Sequence, residues 1–273
     1  MRFKDMLEQG PVPSWHPAYN AIMKYEPKEI SSVGTLLAIL QEQVDRANDT
    51  VWFRGHPVST WKLLPTLYRD NYTIVHESTL QSRFMQNALP LLHFRPANDW
   101  EWLFLMRHHG CPTRLLDWTE SPLVALFFAC EDEKHREVDG DLWCLLPTVL
   151  NENWGMTGEH SGEIPAFGRS AEIDQYSPGN IIMSRGIESY PAAAIAPRES
   201  GRMSVQQSVF TIHHKRIVPI EDIGEKNHLW KLTIPKDAKQ LILNELATLG
   251  ISRLAIYPDL DSVAQLAKDA LHD

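Results

Sequence analysis

Arg54 closes the apolar run "TVWFRGH" and is followed by Gly55. A guanidinium at the end of a buried strand presents a planar fork of donors, which suits a carboxylate or a phosphate. The glycine beside it leaves room for a flat group. The same position equally suits a structural arginine paired with an internal acid. A second concentration of chemistry lies in "RHHGCPTRLLDWTESPLVALFFAC", residues 107–130, where polar groups directly precede a very apolar helix. Arg114 and Asp117 stand three residues apart and are expected to bond each other across a tight turn. Thr119 and Ser121 stand at the helix entry, where free amides and the helix dipole favour an anion or a capping side chain. His108 and His109 are adjacent, so on a helix they diverge and cannot chelate one ion together. A metal would need distant partners such as His93 or His213, and none is expected; one of the pair as a donor to a ligand fits better, and simple polarity at a helix end fits as well. Gln206 and Gln207 open the run "QQSVFTIHH", and on a strand only one of two neighbours can face a given pocket.

Regular elements must carry these groups. Leu36, Leu37, Leu40 and Val44 recur at helical spacing behind a serine start, and "TVWFRGH" reads as a short buried strand. Helices are expected near 76–92 and 98–107, the second opened by Asn98 or Asp99 and closed by Gly110. Ser121 with Pro122 marks the start of "SPLVALFFAC", since serine caps free amides and proline fits the first turn. "GDLWCLLP" reads as a strand, and residues 151–179 as a long loop of the kind that often carries function. Further strands are expected at "NIIM", "QQSVFTIHH" and "HLWKLTIP", and helices at "KDAKQLILNELATL" and "DSVAQLAKDALH". The pattern is α+β: a 1–30 arm, rich in proline and aromatic residues, laid over one compact unit spanning 31–273.

Composition narrows the function classes. A net charge of -9 over 273 residues argues against indiscriminate binding of duplex nucleic acid, which needs a broadly basic face. Between positions 185 and 216, however, Arg185, Arg198, Arg202, Lys215 and Arg216 outnumber Glu188 and Glu199, which suits an anion-binding rim or a solvated loop. Trp154 and Tyr190 are candidates for stacking on single-stranded bases. No apolar run is long enough to span a bilayer, and the first residues lack the apolar centre of a secretory leader, so a soluble, cytoplasmic protein is expected. Cys111, Cys130 and Cys144 show no metal or disulfide spacing and read as small core residues.

In order along the chain, "WFRG", the stretch Trp61–Arg69 ("WKLLPTLYR"), "HHGCPTRLLDWTESPLVALFFA", "RMSVQQSVFT" and "LGISRLAIYPDLDSVAQLA" resemble the signatures of the FRG domain family from about residue 30 to 270. The pattern resembles, more weakly, the ADP-ribosyltransferase superfamily of the arginine-serine-glutamate type. That resemblance implies a split mixed β-sheet core with flanking helices. It implies NAD as cofactor, held by Arg54, Gly55, His108, Arg114, Asp117, Thr119, Ser121 and Phe127. Arg54 would bind the diphosphate, Thr119 and Ser121 the nicotinamide ribose, and Gln206 or Gln207 the reacting sugar. Arg54, Thr119, Gln206 and Gln207 are then the catalytic candidates. No glutamate stands in the third motif, where such enzymes carry the carboxylate that steadies the ribose as its glycosidic bond breaks. Glu188, Glu199 or Asp117 are possible substitutes. The implied activity is ADP-ribosyl transfer by a toxin or defence effector, with single-stranded RNA as the favoured acceptor and an antitoxin or chaperone as a possible partner. The alternatives are a nucleotide-sensing module without turnover, and an NAD or RNA hydrolase using His108 or His109.

Overall fold

In the computed structural model of the chain, the described residues are 25–44, 50–92, 95–156, 162–184, 186, 188–198, 201–269 and 271. Seven strands form one mixed sheet: β1 (Lys28–Glu29), β2 (Trp52–His56), β3 (Leu115–Thr119), β4 (Gly140–Leu145), β5 (Ala192–Ala194), β6 (Ser208–Ile212) and β7 (Leu229–Ile234), in the order β1-β7-β4-β2-β3-β6-β5. Among these pairings β1–β7 is parallel and the rest are antiparallel. The helices are α1 (Val33–Gln43), α2 (Thr66–Arg69), α3 (Ile74–Ala88), α4 (Asp99–His108), α5 (Pro122–Cys130), α6 (Pro147–Glu152), α7 (Ala171–Asp174), α8 (Pro178–Met183), α9 (Gly201–Val205), α10 (Lys239–Thr248), α11 (Arg253–Ile256) and α12 (Leu260–Asp269). The class is α+β, as expected. Among the described residues no helix is long and apolar enough to cross a membrane.

One joint in this sheet matters for function. β2 pairs with β4 along its whole length, and β3 does the same with β6, but β2 and β3 meet only at Phe53 and Thr119. Beyond that pair the two halves part, and residues 54–56 diverge from 115–118. Each half has its own packing. Phe53, Leu142, Cys144, Trp230 and Leu232 pack with α5 and α10, whereas Leu115, Phe210 and Ile212 pack with Trp100, Leu103 and Phe104 of α4. Trp52, Leu116, Trp118, Trp143 and Val209 form a further cluster that draws on both halves.

Helix α5 holds the joint rigid. Ser121 accepts the Val124 amide at 3.4 Å and Pro122 occupies the first turn, as its sequence predicts. Val124, Ala125, Leu126, Phe127, Ala129 and Cys130 are all buried, so α5 is a core helix, not an amphipathic one. It lies directly on β2 at Gly55. A Cβ there would sit 1.9 Å from the Ala125 carbonyl oxygen and 2.7 Å from the Ala129 amide nitrogen. The space that Gly55 leaves is therefore filled by the helix backbone, not kept for a ligand.

Several expectations are corrected. "TRLLDWT" forms strand β3, not a tight turn. The strand covers Leu115–Thr119 and Arg114 precedes it; Arg114 bonds Glu77 and the His213 and Tyr176 carbonyls while Asp117 bonds Arg107, so the two do not pair. "NIIM" belongs to α8, whose start is Ser177, accepting the Asn180 amide at 3.3 Å, with Pro178 at the first turn. The strand expected from Gln206 begins at Ser208 instead; α9 precedes it, and Gln207 takes the left-handed turn between them with φ 46°. The 151–179 segment carries the end of α6 and all of α7, with residues 157–161 outside the described residues. The 1–30 arm falls mostly on residues 1–24, outside the described residues, but Lys28–Glu29 already pair with β7 and Ile30 is buried. The last residues of the supposed arm are an edge strand of the sheet.

Candidate functional site

A cleft of about 540 Å³ opens where β2 and β3 part. Phe53, Arg54 and Gly55 line it from β2, Asp117, Trp118 and Thr119 from β3, and Phe104, Arg107, His108 and Gly110 from α4 and its end. Phe128, Arg202, Met203, Gln206, Ser208 and Phe210 complete the wall. Residues 54, 119, 206 and 208, far apart in sequence, thus share one cavity of a volume ordinary for small-ligand sites.

Arg54 bridges the fork. Its Nη1 donates to the Asp117 backbone carbonyl at 2.6 Å, an oxygen left without a strand partner once β2 and β3 part. Its Nε donates to His56 Nε2 at 2.9 Å. Accepting that bond requires a ring nitrogen without a proton, and burial, followed by the charges of Arg54 and Arg69, holds the His56 pKa well below its usual value. Nη2 of Arg54 has no partner among the described residues. Burial lowers the Arg54 pKa to about 10, Asp117 partly opposing this and Arg107 and Arg69 adding to it. The group stays cationic at neutral pH.

Asp117 is already engaged. Arg107 Nε reaches its Oδ1 and Oδ2 at 3.2 and 2.9 Å, and Arg107 Nη2 also donates to Oδ2. Arg54 Nη1 stands 3.9 Å from the same oxygen. Burial would raise the Asp117 pKa, but the charge and hydrogen bonds of Arg107, then the charge of Arg54, hold it below the ordinary carboxylate range. The cleft lining therefore carries Arg54, Arg107 and Arg202 against Asp117 alone. A cationic cavity in a chain of net charge -9 concentrates anions locally.

Thr119 and Gln206 shape the opposite wall. The Thr119 hydroxyl donates to the Gln206 carbonyl at 2.6 Å and accepts the Ser121 amide at 3.0 Å, so it ties the β3–α5 turn to the end of α9. The Gln206 side-chain amide donates to the Ile256 carbonyl at 3.2 Å. Gln207 is exposed and absent from the cavity wall; its carbonyl accepts the Glu120 amide at 3.2 Å. His108 lines the cleft, its pKa lowered by partial burial and then by Arg202. His109 instead lies against Phe84, with ring centroids 6.2 Å apart.

Three predicted cofactor residues fall elsewhere. Arg114 is sealed in the interior: Nε bonds Glu77 Oε2 at 2.6 Å, Nη1 the His213 carbonyl at 3.0 Å and Nη2 the Tyr176 carbonyl at 2.9 Å. Ser121 is spent as the α5 cap. Phe127 packs in the core, and its neighbour Phe128 takes the place at the cavity wall. Arg107, Phe104, Phe128 and Phe210 are cleft residues that sequence reasoning passed over, and Arg202 entered it only as part of the basic rim. Of these, Arg107 had a readable signal, since it stands in the last turn of a helix ending at the glycine of the same motif.

The basic rim also resolves into separate parts. Arg198 pairs with Glu120, Lys215 donates to the Ser184 carbonyl, and Arg216 lies 4.3 Å from the Tyr190 ring centroid. Arg185 and Glu199 lie outside the described residues. Burial lowers His213 to a pKa of about 3, so it adds no charge at neutral pH. Trp154 and Tyr190 stack on each other with centroids 3.5 Å apart, and with Glu172 and Glu188 they line a separate cavity of about 440 Å³. Glu188 is thereby placed away from the cleft. Cys111, Cys130 and Cys144 are free thiols, the last two buried.

The fold and this cavity define a class: a mixed-sheet α+β protein whose sheet parts around an arginine-lined cleft. Residues 49–138 match the model of the FRG domain. The match contains Arg54, Arg107, Asp117, Thr119 and α5, whereas Arg202, Gln206 and Ser208 lie beyond it. No curated protein and no solved structure matches the chain.

Proposed function

We propose that this chain is an NAD-dependent ADP-ribosyltransferase acting on RNA, with the cleft at the β2–β3 fork as its NAD site. The observation that carries the reading is Arg54, a cation spanning the two halves of a split sheet with one nitrogen uncommitted among the described residues, beside an aromatic wall of Phe104, Phe128 and Phe210. A site of this composition can take a diphosphate on the guanidinium and a flat heterocycle on the rings. NAD would supply the ribosyl group and its leaving nicotinamide. The chain's own residues orient and exclude: His56 fixes Arg54, and Thr119 fixes the loop that brings Gln206 to the wall. The ADP-ribosyltransferase-like reading of the fold rests on the same fork. The RNA acceptor is supported by the surplus of guanidiniums in an otherwise acidic chain. A toxin or defence role in the cytoplasm, with an antitoxin or chaperone partner, belongs to the same proposal.

One observation favours a second reading. Asp117, the acid of the cavity wall, is already engaged by Arg107, so it is poorly placed to steady a developing positive charge. A nucleotide sensor needs no such acid. A hydrolase would rely on His108, whose lowered pKa keeps it neutral and basic near pH 7. Incubating the purified chain with labelled NAD and separate RNA, DNA and protein pools decides between them. The expected result is label on RNA. Release of nicotinamide alone means hydrolysis, and saturable binding with neither product means sensing.

A further inference from the structure

Arg69 lies outside the lining of this cleft but is tied to it through Thr66 and Arg107. It ends α2, within the stretch "WKLLPTLYR", and is exposed. Its Nη2 donates to Thr66 Oγ1 at 3.0 Å, and the same oxygen accepts from Arg107 Nη1 at 3.3 Å. Arg107 in turn holds Asp117, beside which Arg54 is anchored. A continuous chain of contacts therefore runs Arg54, Asp117, Arg107, Thr66, Arg69, bringing four elements, β2, β3, α4 and α2, and three guanidiniums together.

The charges in that chain are unequal in availability. Arg107 and Asp117 neutralise each other through a multiply bonded pair. Arg54 spends its Nε on a neutral ring and its Nη1 on a carbonyl, keeping its charge available. Arg69 bonds only a hydroxyl among the described residues, and the exposed Asp70 and then Asp117 act on it through charge without a hydrogen bond. The remaining positive charge is thus held at the two ends of a fixed strut. The like charges act on both ends: partial burial first, and then Arg107, lower the pKa of Arg69, and burial first, and then Arg107 and Arg69, lower that of Arg54.

We infer that Arg69 is a second cationic arm of the site, and that Arg54 and Arg69 together take the two charged groups of a diphosphate, the Arg107–Asp117 pair being the strut between them. The inference rests on the reading of the cleft as an anion site, but not on turnover. A single phosphate satisfies one arm and leaves the other unneutralised. A diphosphate engages both, which makes two adjacent phosphoryl groups, not one, the feature recognised.

Calorimetric titration of the whole chain with inorganic pyrophosphate, inorganic phosphate and ADP-ribose tests this. Pyrophosphate and ADP-ribose are expected to bind at least ~10-fold more tightly than phosphate. Arg69→Gln is expected to bring pyrophosphate down to the affinity of phosphate while leaving the melting temperature unchanged, since Arg69 is exposed. Arg69→Lys should recover part of the loss, and Arg136→Gln, on an exposed arginine beside Glu133, should change nothing. Equal binding of the two inorganic anions, no binding of pyrophosphate, or wild-type affinity in Arg69→Gln each overturns the clamp. The outcome separates cleanly from the transferase proposal. Arg69-dependent pyrophosphate binding without any NAD turnover keeps the clamp and removes the transferase; NAD turnover with an indifferent Arg69→Gln does the reverse.

Discussion

Arg54 lies in β2 and Arg114 immediately precedes β3, and the contrast between them separates scaffold from site. The side chain of Arg114 is fully buried, and each of its three nitrogens has a fixed acceptor, one of them the buried Glu77. The Arg54 side chain is 15% exposed, leans on a neutral imidazole and a carbonyl, and faces a carboxylate already bonded to another arginine. The first arrangement is electrically closed. The second leaves positive charge directed at a cavity. The two arginines thus do different work because of how completely their neighbours neutralise them, and burial alone does not tell them apart.

Breaking the closed arrangement should give the largest effect. Arg114→Met leaves Glu77 as an uncompensated buried charge and the His213 and Tyr176 carbonyls without their donors, so a loss of about 3–5 kcal/mol is expected. A denaturant titration measures it, and pyrophosphate affinity of the folded fraction should be unchanged. An Arg114→Met chain that keeps its stability would erase the distinction between the two sites. Next in size is Gly55→Ala. The new methyl meets helix backbone, which cannot rotate away, so α5 must lift off β2 at a cost of about 1–3 kcal/mol or more. Because α5 borders the cleft through Phe128, this variant should lose anion affinity as well as stability, which Arg114→Met does not.

The sequence made the elements of the cleft legible more readily than its electrostatics. The Ser-Pro start of α5, the buried strand ending in "FRG" and the helix closing at Gly110 all followed from local rules. The same Ser-Pro signal at 177–178 opens a helix too, although "NIIM" with its β-branched pair reads as a strand; that helix is short and only Pro178 and Ile181 are buried. The site residues divide along the same line. Arg54, Asp117, Thr119, Gln206 and His108 are brought to one cavity, whereas Arg114, Ser121 and Phe127 are not. What decides is the partner across space, and Glu77, 37 positions away from Arg114, cannot be assigned to it from spacing. Arg202 reaches the cleft only because a left-handed turn at Gln207 folds α9 back onto β6, a geometry that a glutamine does not advertise.

Acid should sharpen the contrast by loosening the closed side. Burial depresses His213 to a pKa of about 3 and His228 to about 4, below the usual 6.5. A histidine whose folded pKa lies below its unfolded value contributes stability that is fully present above pH 6.5 and is lost as pH falls toward the folded pKa. Each should therefore remove about 1.4 kcal/mol per pH unit across that window. Melting temperatures between pH 7.5 and 5 should fall steeply, and His213→Gln, which keeps a donor for the Val218 carbonyl, should flatten the decline. His56 shifts in the same direction, so acid also threatens the Nε anchor of Arg54. An acid limb unaltered in His213→Gln would show that this ring is not buried in its neutral form.

The smallest effect concerns the boundary of the open site. Gln207 holds a φ of 46°, a region costly for a residue with a Cβ and free for glycine, so Gln207→Gly should gain up to about 1 kcal/mol, less the entropy that glycine brings to the unfolded chain. Its side chain is exposed and outside the cleft wall, so NAD-dependent labelling should persist at the wild-type rate. Gln206→Ala removes instead the amide bonded to the Ile256 carbonyl, loosening the end of α9 that carries Arg202 and Gln206 to the wall, and should weaken binding several-fold. The two substitutions are adjacent and chemically alike, and their opposite outcomes would locate the edge of the site between them. Loss of labelling in Gln207→Gly with unchanged melting would move that edge outward by one residue and return Gln207 to the reacting centre.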